Sequence, residues 1–167
     1  AINVGSRCYY QSEKTGVTWV ADRAYTKGSW GHIGGMSAST QTEIACTDDG
    51  PLYQTMLKGI EEYRFDVVEG NYELELLFAD TRQKLARSVY LLGKDKKQID
   101  AGGQLVGFDM LVNGKSIETD FLPGKEFGFF TALRRSYLVK VGKDGLHVKF
   151  QSKDGNTFLS GIRLRKL

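Results

Sequence analysis

The chain has 167 residues, 41% hydrophobic and 26% charged, which suits one globular domain with a sizeable core. Its formal charge of +3 is small, and its lysines and arginines are interspersed with acids; "KDKK" at Lys94–Lys97 and the terminal "RLRK" read as solvated loop and chain end, so no nucleic-acid face is expected. No apolar run reaches the length of a membrane span, and the first residues carry no signal-peptide pattern.

In chain order, "GVTWVAD" places Trp19 between Val17 and Val20, which favours a core position for the indole. "DRAYTKGSWGHIGG", from Asp22 to Gly35, has neither strand nor helix period and reads as a glycine-shaped loop displaying Tyr25 and Trp30. "TDDGP" reads as a turn or helix cap. "YRFDV" sets Tyr63, Phe65 and Val67 on one side. "YELELLFA" aligns Tyr72, Leu74, Leu76 and Phe78 opposite Glu73 and Glu75, the alternation of a strand with one buried face.

The interval Thr81–Gln104 breaks this rhythm. Leu85, Val89 and Leu92 fall at helical spacing, which predicts a short surface helix in an inter-strand excursion. Beyond it, "GFDMLV" meets "KSIET" across Asn113–Gly114, and "YLVKV" meets "LHVKF" across Lys143–Gly145; both are hairpin signals. "FLSGIRL" reads as a closing strand. Short strands with regularly spaced turns predict an all-β, two-sheet antiparallel sandwich over residues 1–167 as a single domain.

The chemistry of catalysis is sparse. His147 falls on the outward face of a strand and reads as solvated, while His32 belongs to the glycine-rich loop. No GxSxG elbow, phosphate loop or dinucleotide fingerprint is present. Two carboxylates would suffice for a glycosidase. The neighbours Asp48 and Asp49, however, point apart in extended chain, and no catalytic residue is assigned. Cys8 and Cys46 allow either one disulfide or two free thiols, and their spacing does not suit zinc. No metal ligands or cofactor are assigned, although loop aspartates are able to hold a structural calcium.

What remains is a set of loop aromatics and polar groups: Tyr25, Trp30 and Tyr53, with Asp80 just past "LELLFA". Sandwich loops cluster at the ends of the sheets, so these residues are expected to share one surface. Rings beside carboxylates and amides suit sugars, whose C–H face lies on a π face while hydroxyls exchange hydrogen bonds with polar side chains. Each ring also has a packing alternative, in which it plugs the core.

The ordered set "INVGS", "WVADRAY…GSWGHIGG", "TDDGPLYQT", "YRFDV", "GNYELELLFAD", "FDMLVNG" and "GNTFLSGIRL" resembles the malectin-like domain, carbohydrate-binding module family 57. It is most similar to versions appended to bacterial glycoside hydrolases, including family 2 β-galactosidase-like enzymes. The resemblance implies a jelly-roll-like sandwich that is not itself an enzyme and binds oligo- or polysaccharide through its end loops. Trp30 in "SWG" and Tyr53 in "LYQT" match binding aromatics, and Asp154 and Asn156 both match the final binding acid. The family's aromatic pair after "LLFA" is absent here; the segment runs Asp80-Thr81-Arg82, which brings in Arg82 or Tyr90 instead. The implied partners are a carbohydrate and the catalytic domain of the same polypeptide, in the periplasm or outside the cell, where a disulfide is permitted. The isolated domain is expected to be a monomer. The alternative implied role is a structural accessory that packs on the catalytic domain without binding sugar.

Overall fold

The alternating segments fold as strands of two packed sheets, as expected. The computed structural model describes residues 1–82 and 106–167, so the helix expected around Leu85, Val89 and Leu92 lies outside the described residues. The elements are β1 (Ile2–Asn3), β2 (Tyr10–Gln11), β3 (Thr18–Ala21), β4 (Trp30–Ser39), α1 (Gly50–Gln54), β5 (Thr55–Phe65), β6 (Gly70–Ala79), β7 (Phe108–Val112), β8 (Lys115–Phe121), α2 (Pro123–Phe127), β9 (Ala132–Val141), β10 (Leu146–Gln151), β11 (Phe158–Leu159) and β12 (Gly161–Lys166). One sheet runs β2-β3-β1-β12-β6-β9. The other runs β11-β5-β10-β7-β8, with β4 also paired to β5. All pairings between named strands are antiparallel except β1 with β3.

The main core lies between the sheets. Tyr72, Leu74, Leu76 and Phe78 of β6 face Tyr63, Phe65, Phe108, Met110, Val148 and Phe150 of the opposite sheet. Phe78 is fully buried and sits at the centre of an aromatic cluster. Its ring centroid is 5.0 Å from Phe121, 6.1 Å from Phe158 and 6.3 Å from Phe108.

Several local readings are corrected. Trp30 opens a strand rather than sitting in a loop. Glycines at 31, 34 and 35 with positive φ, and a register shift at Ile33/Gly34, hide the period of β4 from a pattern reading. "FLSGIRL" is two strands: Leu159 pairs with Leu57 in one sheet and Gly161 with Leu77 in the other, so the chain changes sheets at Ser160. Glu75 was expected to face solvent but is 8% exposed. The outer face of β6 carries a second, smaller core in which Trp19, Ile44, Leu52 and Tyr53 pack on Leu77 and Ala79.

Of the two expected hairpins only the one across Asn113–Gly114 forms: β9 pairs with β6 and β10 with β5 and β7, so the turn at Lys143–Gly145 carries the chain from one sheet to the other. Asn113 (φ 48°) and Gly114 (φ 80°) both adopt the left-handed conformation that a two-residue turn between β7 and β8 demands. Truncating the centre of the aromatic cluster should be costly: Phe78→Ala is expected to lower unfolding free energy by about 3–5 kcal/mol, measured by urea denaturation of the 167-residue chain.

Candidate functional site

The residues singled out from the sequence divide between two ends of the sandwich. Trp30 pairs with Phe65 at one end of β5, whereas Phe158, beside Asn156, pairs with Lys58 toward the other. Seven residues of strand separate those positions, roughly 23 Å at about 3.3 Å per residue. The single shared surface expected for these loops is therefore not formed.

At the Phe158 end the polar groups are bound to one another. Asp80 is 1% exposed, and its carboxylate accepts Nε of Arg82 at 2.9 Å and Nη2 at 2.8 Å. It also accepts the backbone N–H groups of Arg82 and Gly124, each at 3.1 Å. Arg82 uses Nη1 to donate to the carbonyls of Val106 (3.1 Å) and Asn156 (3.2 Å), and its guanidinium lies 4.9 Å over the Phe158 ring. A side chain added at Gly124 would collide with the Phe129 ring and crowd Asp80. Above this brace, Asp154 and Asn156 are exposed. Asp154 accepts the Ser152 hydroxyl at 2.6 Å and both N–H groups of Asn156; the Ser152 bond, then those of Asn156, hold its carboxyl below the ordinary aspartate value.

Tyr53 is not in a loop. It belongs to α1, is 3% exposed and packs in the second core, where burial raises its hydroxyl above the ordinary tyrosine value. Asp48 and Asp49 do point apart: Asp48 pairs with exposed Lys14, while Asp49 turns inward to accept the hydroxyls of Tyr10 (2.8 Å) and Ser12 (3.1 Å). Burial, then the Asp49 bond, pushes Tyr10 up to about 12. The pattern reading missed Phe127, Phe129 and Phe130, because "FGFF" has no period. Phe130 N–H donates to the Asp80 carbonyl, and Phe127 is 44% exposed. Aromatic density in an aperiodic stretch was the available signal.

At the other end Trp30 is half-buried against the main core, with the Arg23 guanidinium 4.0 Å from its ring centroid. Tyr25 donates its hydroxyl to Asp66 at 2.8 Å. His147 faces outward as expected but is clasped, with Nδ1 2.8 Å from Glu62 and Nε2 3.0 Å from the Asp144 carbonyl. His32 lies in β4, its Nδ1 3.2 Å from the buried Asp22. Cys8 and Cys46 are exposed free thiols. Among the described residues no group of three or more His, Cys, Asp or Glu gathers to hold a metal, and no helix is long and apolar enough to cross a membrane.

Two packed, mostly antiparallel sheets define the class of protein as a β-sandwich domain. The malectin domain model matches residues 1–162, and the chain belongs to the malectin domain family. A β-glucuronidase of Bacteroides uniformis is similar at 39% identity with a TM-score of 0.85, over 99% of this chain and 17% of that one. The chain thus spans about a sixth of that enzyme. The ectodomain of ANX2 from Arabidopsis thaliana shares the fold at 17% identity, TM-score 0.67, over 99% of this chain and 48% of that one. The receptor-like kinase ectodomain ANX1 from the same plant does so at 14%, TM-score 0.66, over 99% and 47%. No curated protein matches.

Two measurements check this geometry. Arg82→Met leaves the Asp80 carboxylate buried and unpaired, so it should cost about 3–5 kcal/mol of stability, while Asn156→Ala should stay within about 0.5 kcal/mol. Burial pushes the Glu62 carboxyl up, but the hydrogen bonds and charges of Arg64 and His147 outweigh it and the net shift is down. A depressed folded value gives stability that is present above the ordinary glutamate range and lost as pH falls through the folded value. Glu62→Gln should therefore flatten the acid limb of a stability–pH profile, followed as denaturation midpoint between about pH 6 and pH 2.

Proposed function

We propose that this chain is a non-catalytic carbohydrate-binding module that serves an attached glycoside hydrolase. Membership of the malectin family, a carbohydrate-binding fold, supports it, as does 39% identity to a part of a β-glucuronidase. The finer assignment, to module family 57 beside a β-galactosidase-like enzyme, belongs to the same proposal, as does a place in the periplasm or outside the cell. The observation that carries the reading is the surface over the Arg82 brace. There Asp154 and Asn156 expose a carboxylate and an amide, while Gly124 brings Phe129 beside Asp80. Hydroxyls meet the first pair and C–H faces the aromatic segment.

A second reading, the accessory that packs on a catalytic domain, is favoured by one observation: Tyr53 and Asp80, both expected at a sugar site, are buried and bound internally. In that reading the chain packs on its neighbour and binds no sugar itself.

Calorimetric titration with neutral and uronate-containing oligosaccharides tests the proposal. Dissociation constants of about 10 μM to several mM are expected, or roughly 4–7 kcal/mol. The double change Asp154→Ala, Asn156→Ala should abolish the heat while leaving the unfolding midpoint nearly unmoved. Chromogenic glycosides should not turn over. Turnover that survives repurification, or binding indifferent to the double change, sinks the assignment.

A further inference from the structure

The end remote from the Arg82 brace is apolar and open. A groove of about 490 Å³ lies there, lined by Val20, Trp30, Phe65, Val67, Tyr72 and Leu164 among others. Two of the large exposed hydrophobics follow lining residues directly in the chain: Val68, after Val67, is 67% exposed and Leu167, after Lys166, is 62%. Both are tied to the turn between β5 and β6, because the Val68 carbonyl accepts the Tyr72 hydroxyl at 2.8 Å and Leu167 N–H donates to the Asn71 carbonyl at 3.0 Å. Scattered exposed hydrophobics are ordinary, but a contiguous patch that includes a tryptophan marks an interaction surface.

The border of the patch is cationic. Lys166 lines the groove and has no acidic partner among the described residues, and Arg23 covers one face of the Trp30 indole. The surface therefore selects an apolar knob flanked by carboxylates. That chemistry favours protein over sugar, since the groove wall offers few hydroxyl partners.

The fold also says which protein is close at hand. β1 and β12, the first and last strands, lie side by side with Ile2 opposite Ile162, and Ala1 and Lys166 both border the groove. Polypeptide joined to either strand passes directly beside it. Tethering makes docking intramolecular, so a modest apolar contact is enough to hold two domains in one orientation. In the similar β-glucuronidase the matching region is 17% of the chain, which leaves ample neighbouring protein.

We propose that this groove seats the adjoining domain of the larger glycoside hydrolase, through an apolar side chain with acidic neighbours; the inference rests on the accessory role set out above. Hydrogen exchange followed by mass spectrometry, on the full-length polypeptide and on the 167-residue chain, tests it. Peptides spanning Val67–Tyr72 and Leu164–Leu167 should exchange about tenfold or more slowly in the full-length protein. Val68→Asp with Lys166→Glu should remove that protection, while both positions are exposed enough to leave the unfolding midpoint of the isolated chain unchanged. Protection on another face overturns the groove and leaves the accessory role standing. A domain with no protected face in the full-length protein overturns both. Concentration-dependent dimers of the isolated chain, abolished by the same two changes, would assign the groove to a second copy and overturn the proposal.

Discussion

The buried pair of Asp80 and Arg82 is the constraint on which one whole end of this sandwich depends. Taking a carboxylate out of water costs several kcal/mol unless donors replace the lost hydration. Here a bidentate guanidinium and two backbone N–H groups do so. Each partner belongs to a different part of the chain: the end of β6, α2 and, through Arg82, the carbonyls of Val106 and Asn156. The Phe130 amide bonded to the Asp80 carbonyl adds the start of β9. One ion pair thus sets where five segments stop, and it closes the mouth of the core over Phe158. Its functional consequence is restrictive. Groups that satisfy each other inside the fold are unavailable to a ligand, so the recognition proposed for this end rests on the exposed Asp154 and Asn156.

At the opposite end Asp22 and Asp66 fasten the loop before β4, but an apolar groove stays open beside it. Its side chains are apolar, its border is cationic, and a tryptophan stands half-open in it. A sandwich that leaves such a groove open at one end is poorly explained by stability alone, because apolar surface stays in water there. It is well explained by a module that presents one end to solvent and the other to protein.

The sequence made some of this legible and hid the rest for physical reasons. "YELELLFA" could be read because β6 has a clean inner face, and Asn113–Gly114 because a tight turn has few acceptable residues. β4 could not, since its glycines erase alternation while the backbone ladder to β5 persists around a bulge. The outward face of β6 misled for the opposite reason. Leu77, Ala79 and Glu75 look like a mixed solvent face until α1 and Trp19 fold over them, and coverage by a segment distant in sequence leaves no local trace. Tyr53 is hidden by the same event: a tyrosine after "TDDGPL" is equally suited to a loop platform and to a helix that packs inward. The motif did not say which way its ring would point.

The aromatics in "DRAYTKGSWG" are explained by struts rather than display. Tyr25 OH and Gly28 N–H both bond the Asp66 carboxylate, and Asp66 N–H returns to the Ser29 carbonyl, so the loop is fastened to the end of β5 at three points. Arg23 then reaches the Trp30 carbonyl and the Ser29 hydroxyl, which keeps its guanidinium over the indole. At the loop's root the Asp22 carboxylate binds Gly5 N–H and Tyr63 OH, joining the chain after β1 to the last residues of β5. A glycine-rich segment without a core of its own would fray if those bonds were absent. With them, the indole is held at one angle, one face covered by a cation and its body set against the groove. An aromatic fixed in that way loses little freedom on meeting a partner, which is the property a docking surface needs.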